Sequence, residues 1–88
     1  GYTPKPIYTA FKLIRWVREH GRNYRDDTLI ITAKKNIISE MQTSLIDYIE
    51  TVMKDWRVNI KIESNENVDP GIVEIYSYNK LEKVGTIR

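Results

Sequence analysis

One short β-branched run, Thr28–Ala33 (TLIITA), stands alone between two amphipathic helical segments, and it constrains the fold more than any other feature. Polar residues bound it on both sides. It reads as a strand buried on both faces, of the kind found inside α/β sheets. An isolated strand between two helices implies at least one parallel pairing, because the chain returns to the sheet by a crossover.

The helix before it begins at Pro6, which suits a first turn where no N–H is needed. Ile7, Ala10, Phe11, Ile14 and Val17 recur at spacings of three and four, the signature of one buried helical face. Gly21 follows the last turn and is expected as a left-handed C-cap. Tyr8, Lys12, Arg15 and Glu19 fall on the far side, and Trp16 sits almost opposite the apolar stripe. After the strand, Lys34, Lys35 and Asn36 form a turn. Ser39 with Gln42 reads as a capping box opening a second helix. Its core stripe is Met41, Leu45, Tyr48, Ile49, Val52 and Trp56; Ile46 and Met53, one heptad apart, lie on a neighbouring face.

Beyond Trp56 the period changes to two. Val58, Ile60 and Ile62 alternate with Arg57, Asn59, Lys61 and Glu63, as in a half-buried strand. Ser64–Gly71 is dense in turn formers, and Ile72–Tyr78 reads as a second strand. The pair is expected as a β-hairpin with a loop of about seven residues. Leu81–Arg88 is ambiguous, with a short strand conceivable at Val84–Ile87. The expected order is α-β-α-β-β plus a tail, in one α/β domain spanning residues 1–88.

Composition narrows the function. The 88 residues are 41% apolar and 30% charged, ordinary for a globular chain with room for one core. The absence of cysteine excludes disulfides, thiolate metal sites and cysteine nucleophiles, and a single histidine, His20, excludes a multi-histidine metal site. His20 is most simply a partner for the dipole at the helix end. Asp26 and Asp27 are adjacent in a strand entry and point to opposite faces, which does not suit a shared ligand sphere. Neither an enzyme nor a cofactor is expected, and no metal site. No apolar run is long enough to span a membrane, and no signal-peptide pattern is visible.

Charge is unevenly distributed. Residues 1–35 carry eight cations against three acids, a balance of +5; residues 36–88 carry six cations and nine acids, a balance of −3. A basic first third is the footprint of a polyanion-binding surface, although a solvated helix face has the same composition.

Three segments resemble the Alba family of chromatin and RNA-binding proteins. KPIYTAFKLIRWVREHG (Lys5–Gly21) is similar to the family's lysine-proline lead into its first helix. LIITAKKNIIS (Leu29–Ser39) is similar to its strand, basic turn and Ile-Ser helix start, and Val58–Tyr78 takes the place of its long hairpin arm. The resemblance implies a two-layer β-α-β-α-β-β fold and a dimer that binds DNA or RNA. Here the family's first strand is trimmed, missing or replaced by the tail Lys83–Arg88. The paired lysines of the first turn are reduced to Lys5, Lys34-Lys35-Asn36 stands for Arg-Gly-Arg, and the arm carries Glu63, Glu66 and Asp69.

The candidate nucleic-acid residues are therefore Lys5, Lys34, Lys35 and Asn36 at the two helix entries, where N–H groups favour phosphate. Lys12, Arg15, Arg22 and Arg25 supply a flanking field, with Arg18 either joining it or pairing with Asp26 or Asp27. Trp16, Tyr24, Tyr76 and Tyr78 are candidates for base stacking, against the commoner role of core aromatics. Ile46 and Met53 are the expected homodimer contact, or contact with a related chain. The expected function is nucleic-acid binding through phosphate with little sequence specificity, in the cytoplasm or on the nucleoid or chromatin. The alternative is a protein-interaction module using the acidic hairpin and an exposed Trp16.

Overall fold

The computed structural model describes residues 5–88; the expected lead-in Gly1–Pro4 lies outside them. Helix α1 (Pro6–His20) is followed by a 3-10 turn (Gly21–Tyr24), strand β1 (Thr28–Ala33), helices α2 (Lys35–Gln42) and α3 (Ile46–Trp56), and strands β2 (Asn59–Ser64), β3 (Val73–Ser77) and β4 (Glu82–Ile87). The strands form one mixed sheet in the order β2-β1-β3-β4. β1 runs parallel to β2 and antiparallel to β3, and β3 and β4 are antiparallel. Three helices and a four-strand sheet make a small α/β domain.

The core lies between the helices and one face of the sheet. Leu29, Ile31 and Ala33 of β1 and Val73 and Ile75 of β3 are fully buried against Ala10, Leu13 and Val17 of α1, Ile37 and Met41 of α2, and Ile49 and Val52 of α3. The opposite face of the sheet carries Lys61, Ile30, Tyr76 and Lys83 in one row across the strands, and Glu63, Thr32, Glu74 and Thr86 in the next.

Several sequence expectations are corrected. Val58–Tyr78 is not a hairpin: β2 and β3 flank β1 on opposite sides, so the arm of the Alba resemblance is absent. The period of two reports half-burial but not the neighbour, and the α2–α3 crossover returns β2 parallel to β1. The hairpin is β3–β4, so the tail does supply a strand, at the outer edge.

The expected second helix is two helices. α2 begins at Lys35, with Lys34 as its extended N-cap, so Ser39 lies inside it rather than capping it. The break follows Gln42, where Thr43 Oγ1 donates to the Ser39 carbonyl and Ser44 Oγ to Glu40. Of the two, the Thr43 hydroxyl shares a carbonyl with the backbone ladder. Tyr48, placed on the core stripe by spacing, is 54% exposed.

Gly21 is not left-handed; its φ is −58°. Glycine suits this position by proximity: a Cβ would lie 3.2 Å from Trp56 Cδ1, so the indole would have to give by a few tenths of an ångström. Trp16 is not exposed. It is half-buried over Gly85, with its ring 4.9 Å from His20 and 6.1 Å from Tyr24.

Candidate functional site

The sheet places the candidate cations at two ends. α1 runs antiparallel to β1: its C-terminal Gly21 packs on Trp56 near the heads of β1 and β2, while Lys12 Nζ donates to the Arg88 carbonyl beyond the tail of β4, 3.1 Å away. Because β4 runs in the same direction as β1, Lys5 falls at the end of the sheet where α2 begins. Lys5, Lys34, Lys35 and Asn36 thus share one end. Arg22 and Arg25 lie at the other, beyond the end of α1.

At the α2 end the Lys34 charge and the helix start are already engaged. The loop from β2 to β3 crosses the tail of β1 and carries Glu66 over the helix start. Glu66 Oε1 accepts from the Lys35 N–H at 3.0 Å, its Oε2 lies 3.8 Å from Lys34 Nζ, and its carbonyl accepts from the same ammonium. The carboxylate thus takes the place at the helix N-terminus that a phosphate oxygen would occupy. Asn36 is exposed, and its Oδ1 accepts from the Ile37 N–H at 2.9 Å. Lys35 and Lys5 remain exposed.

The outward face of α1 is different. At 100° per residue, Tyr8, Phe11, Lys12, Arg15, Arg18 and Glu19 fall within one sector, opposite the buried stripe. Phe11 is 48% exposed and Tyr8 54%, so Phe11 leaves the apolar stripe to which its spacing assigned it. Among the described residues, no carboxylate lies within 4.0 Å of Lys12, Arg15, Arg18, Arg22 or Arg25; the ion pairs are Lys34–Glu66, Lys61–Glu63, Lys83–Glu74 and His20–Glu19. Arg18 therefore pairs with neither Asp26 nor Asp27. Arg22 lies over the Trp56 ring, 5.4 Å from its centroid. The result is a cationic strip interleaved with two rings. The signal in the sequence is that Phe11 precedes Arg15 and Arg18 by four and seven residues, so a ring and two guanidinia share one side.

Asp27 belongs to the frame rather than to this surface. It is buried, accepting from the Ser77 hydroxyl, from the Asn79 N–H at 3.0 Å and from the Thr28 N–H at 2.6 Å. Burial acts to raise its pKa. The Ser77, Asn79 and Thr28 hydrogen bonds and the Lys80 charge outweigh it, holding the carboxyl below its ordinary value. Asp26 beside it is exposed with a φ of 65°, its N–H bonded to the Arg57 carbonyl. The stacking candidates divide likewise: Tyr24 and Tyr76 are half-buried, while Tyr78 is 63% exposed on the far side of the sheet. Among the described residues no cluster of three or more His, Asp or Glu could hold a metal, and no helix is long and apolar enough to cross a membrane.

Compared with protein-family models, with curated proteins and with solved structures, the chain shows no match.

Proposed function

We propose that this domain binds nucleic acid along the outer face of α1, through the phosphate backbone and with little sequence preference. The observation that carries the reading is the strip of Arg15 and Arg18, unpaired with any described carboxylate, beside Lys12, whose ammonium bonds the Arg88 main-chain oxygen, and interleaved with the exposed rings of Tyr8 and Phe11. Guanidinium and ammonium groups release counterions from phosphates; rings offer unpaired bases a stacking surface. DNA and RNA share that chemistry, and the rings favour a single strand over a duplex. The Lys34–Lys35 turn is a secondary contact, since Glu66 holds its helix end. What remains of the Alba resemblance, the Lys5–Gly21 and Leu29–Ser39 segments, supports the same reading.

A protein-interaction role has Tyr78 and the 85%-exposed Leu81 in its favour, both at the β3–β4 turn. Anisotropy titrations of labelled oligonucleotides across salt separate the two. Binding that weakens steeply with salt, and that is lost on reversing Arg15 and Arg18, supports the proposal. No binding at low salt overturns it.

A further inference from the structure

The two edges of the sheet are built differently. At the β4 edge, Ile75 of β3 pairs with Gly85 and Tyr76 with Lys83, leaving Val84 as an extra residue; this bulge bends the edge away from further pairing. β2 (NIKIES) has no proline, no glycine and an unbroken register with β1 from Asn59 to Ser64. Ile60 and Ile62 lie opposite buried Leu29 and Ile31, yet are only half-covered, because among the described residues no strand pairs with the other edge of β2.

We infer that the free edge of β2 is the pairing surface for a second copy of this chain, antiparallel and centred on Ile62. The argument is one of register. The Asn59 N–H bonds to the Asp27 carbonyl and the Asn65 N–H to the Ala33 carbonyl, so odd-numbered residues face β1. The N–H and C=O groups of Ile60, Ile62 and Ser64 therefore point outward. A two-fold at Ile62 pairs Ile62 with Ile62, and Ile60 with Ser64, as hydrogen-bonded pairs. It also places Lys61 opposite Glu63 of the second copy, and Glu63 opposite Lys61, in the close non-hydrogen-bonded positions. Moving the centre to residue 61 sets Lys61 against Lys61; moving it to 63 sets Glu63 against Glu63. Only the Ile62 register makes both charged pairs attractive, exchanging the Lys61–Glu63 ion pair within each copy (3.4 Å) for contacts across the axis.

Over this edge Ile62 lies beside Ile38, Ser39 and Gln42 of α2. Met53, half-covered like Ile46, borders the depression at the head of β2 with Val58 and Asn59, at the end of the sheet rather than on the axis.

The test is a charge-swap series on the full chain by sedimentation velocity, with circular dichroism confirming the fold of each variant. The wild-type chain forms a concentration-dependent dimer. Lys61→Glu alone and Glu63→Lys alone each raise the dimer dissociation constant by at least about tenfold, since each sets like charges opposite one another twice. An equimolar mixture of the two variants restores the dimer, because one chain then carries acids at both positions, 61 and 63, and the other carries lysines at both. Amide exchange adds a backbone readout: in the dimer Ile60, Ile62 and Ser64 gain protection, and Lys61 and Glu63 do not. A monomeric wild type at high concentration, single variants that still dimerise, or a mixture that stays monomeric each overturns the inference. None of these outcomes depends on nucleic-acid binding.

Discussion

Trp16 packs so closely on Gly85 that a Cβ at residue 85 would lie 2.7 Å from Cε2 and Cζ2 of the indole. That contact joins α1 to β4 and holds the face of α1 that bears the cations at a fixed angle to the sheet. Gly85→Ala forces the indole or the strand to move, and it should cost about 1–3 kcal/mol. Urea unfolding followed by tryptophan emission measures this. Trp16→Leu should remove most of the penalty of Gly85→Ala, and a double-mutant cycle isolates the shared part. An additive cycle would mean the two residues do not act as a pair.

Asp27 gives the fold a pH dependence of definite sign. Its folded pKa lies below the ordinary 3.8, so its ionised form is stabilised by folding. The contribution is complete above the unfolded value and is lost as the pH falls through about 4 toward the folded one. Stability should fall in that acid window, and Asp27→Asn should flatten this part of the profile. At neutral pH, Asp27→Ala leaves the Ser77 hydroxyl and the Thr28 and Asn79 N–H groups without their acceptor, which should cost on the order of 2–3 kcal/mol. Ser77→Ala, which removes one donor, should cost less.

Much of this frame is legible in the sequence. β1 has the bounds its β-branched run suggests, α1 starts at its proline, and the parallel pairing follows from a strand isolated between helices. What is not legible is the identity of each strand's neighbour. Alternation at Val58–Ile62 says that one face is buried, and the two edges of β1 satisfy that equally well. The unread pairing also hides Glu66: a hairpin loop would hold it away from α2, whereas a loop crossing the tail of β1 delivers it to Lys34 and Lys35. Phe11 is misplaced by spacing for a related reason. Spacing marks a ring as apolar, but which side of a wide stripe is covered depends on where the sheet stops.

Glu66 is therefore the residue to release. Its side chain is 66% exposed, so its ion pair with Lys34 is worth little, and Glu66→Ala should cost at most about 1 kcal/mol. The effect on binding should be clearer. Freed of the carboxylate, Lys34 and the start of α2 can take a phosphate, and the log–log salt slope should steepen by roughly 0.9 for a duplex or 0.7 for a single strand. An unchanged slope would place the α2 entry outside the interface.

The last prediction sets the two basic groups against each other. Arg15→Glu with Arg18→Glu removes two phosphate contacts from α1 and adds repulsion, so affinity at low salt should fall by at least about a hundredfold and the slope by roughly 1.4–1.8. Lys34→Glu with Lys35→Glu should cost less than a tenth of that, because Glu66 already pairs with Lys34 and occupies the start of α2 in the wild-type chain. Tyr8→Ala with Phe11→Ala should weaken a single strand by about 1–3 kcal/mol per stacked base while leaving the salt slope alone. All three pairs are on exposed or partly exposed positions, so their melting temperatures should stay close to that of the wild type. The reverse order, with the lysine pair dominant, would move the interface from the face of α1 to the end of the sheet.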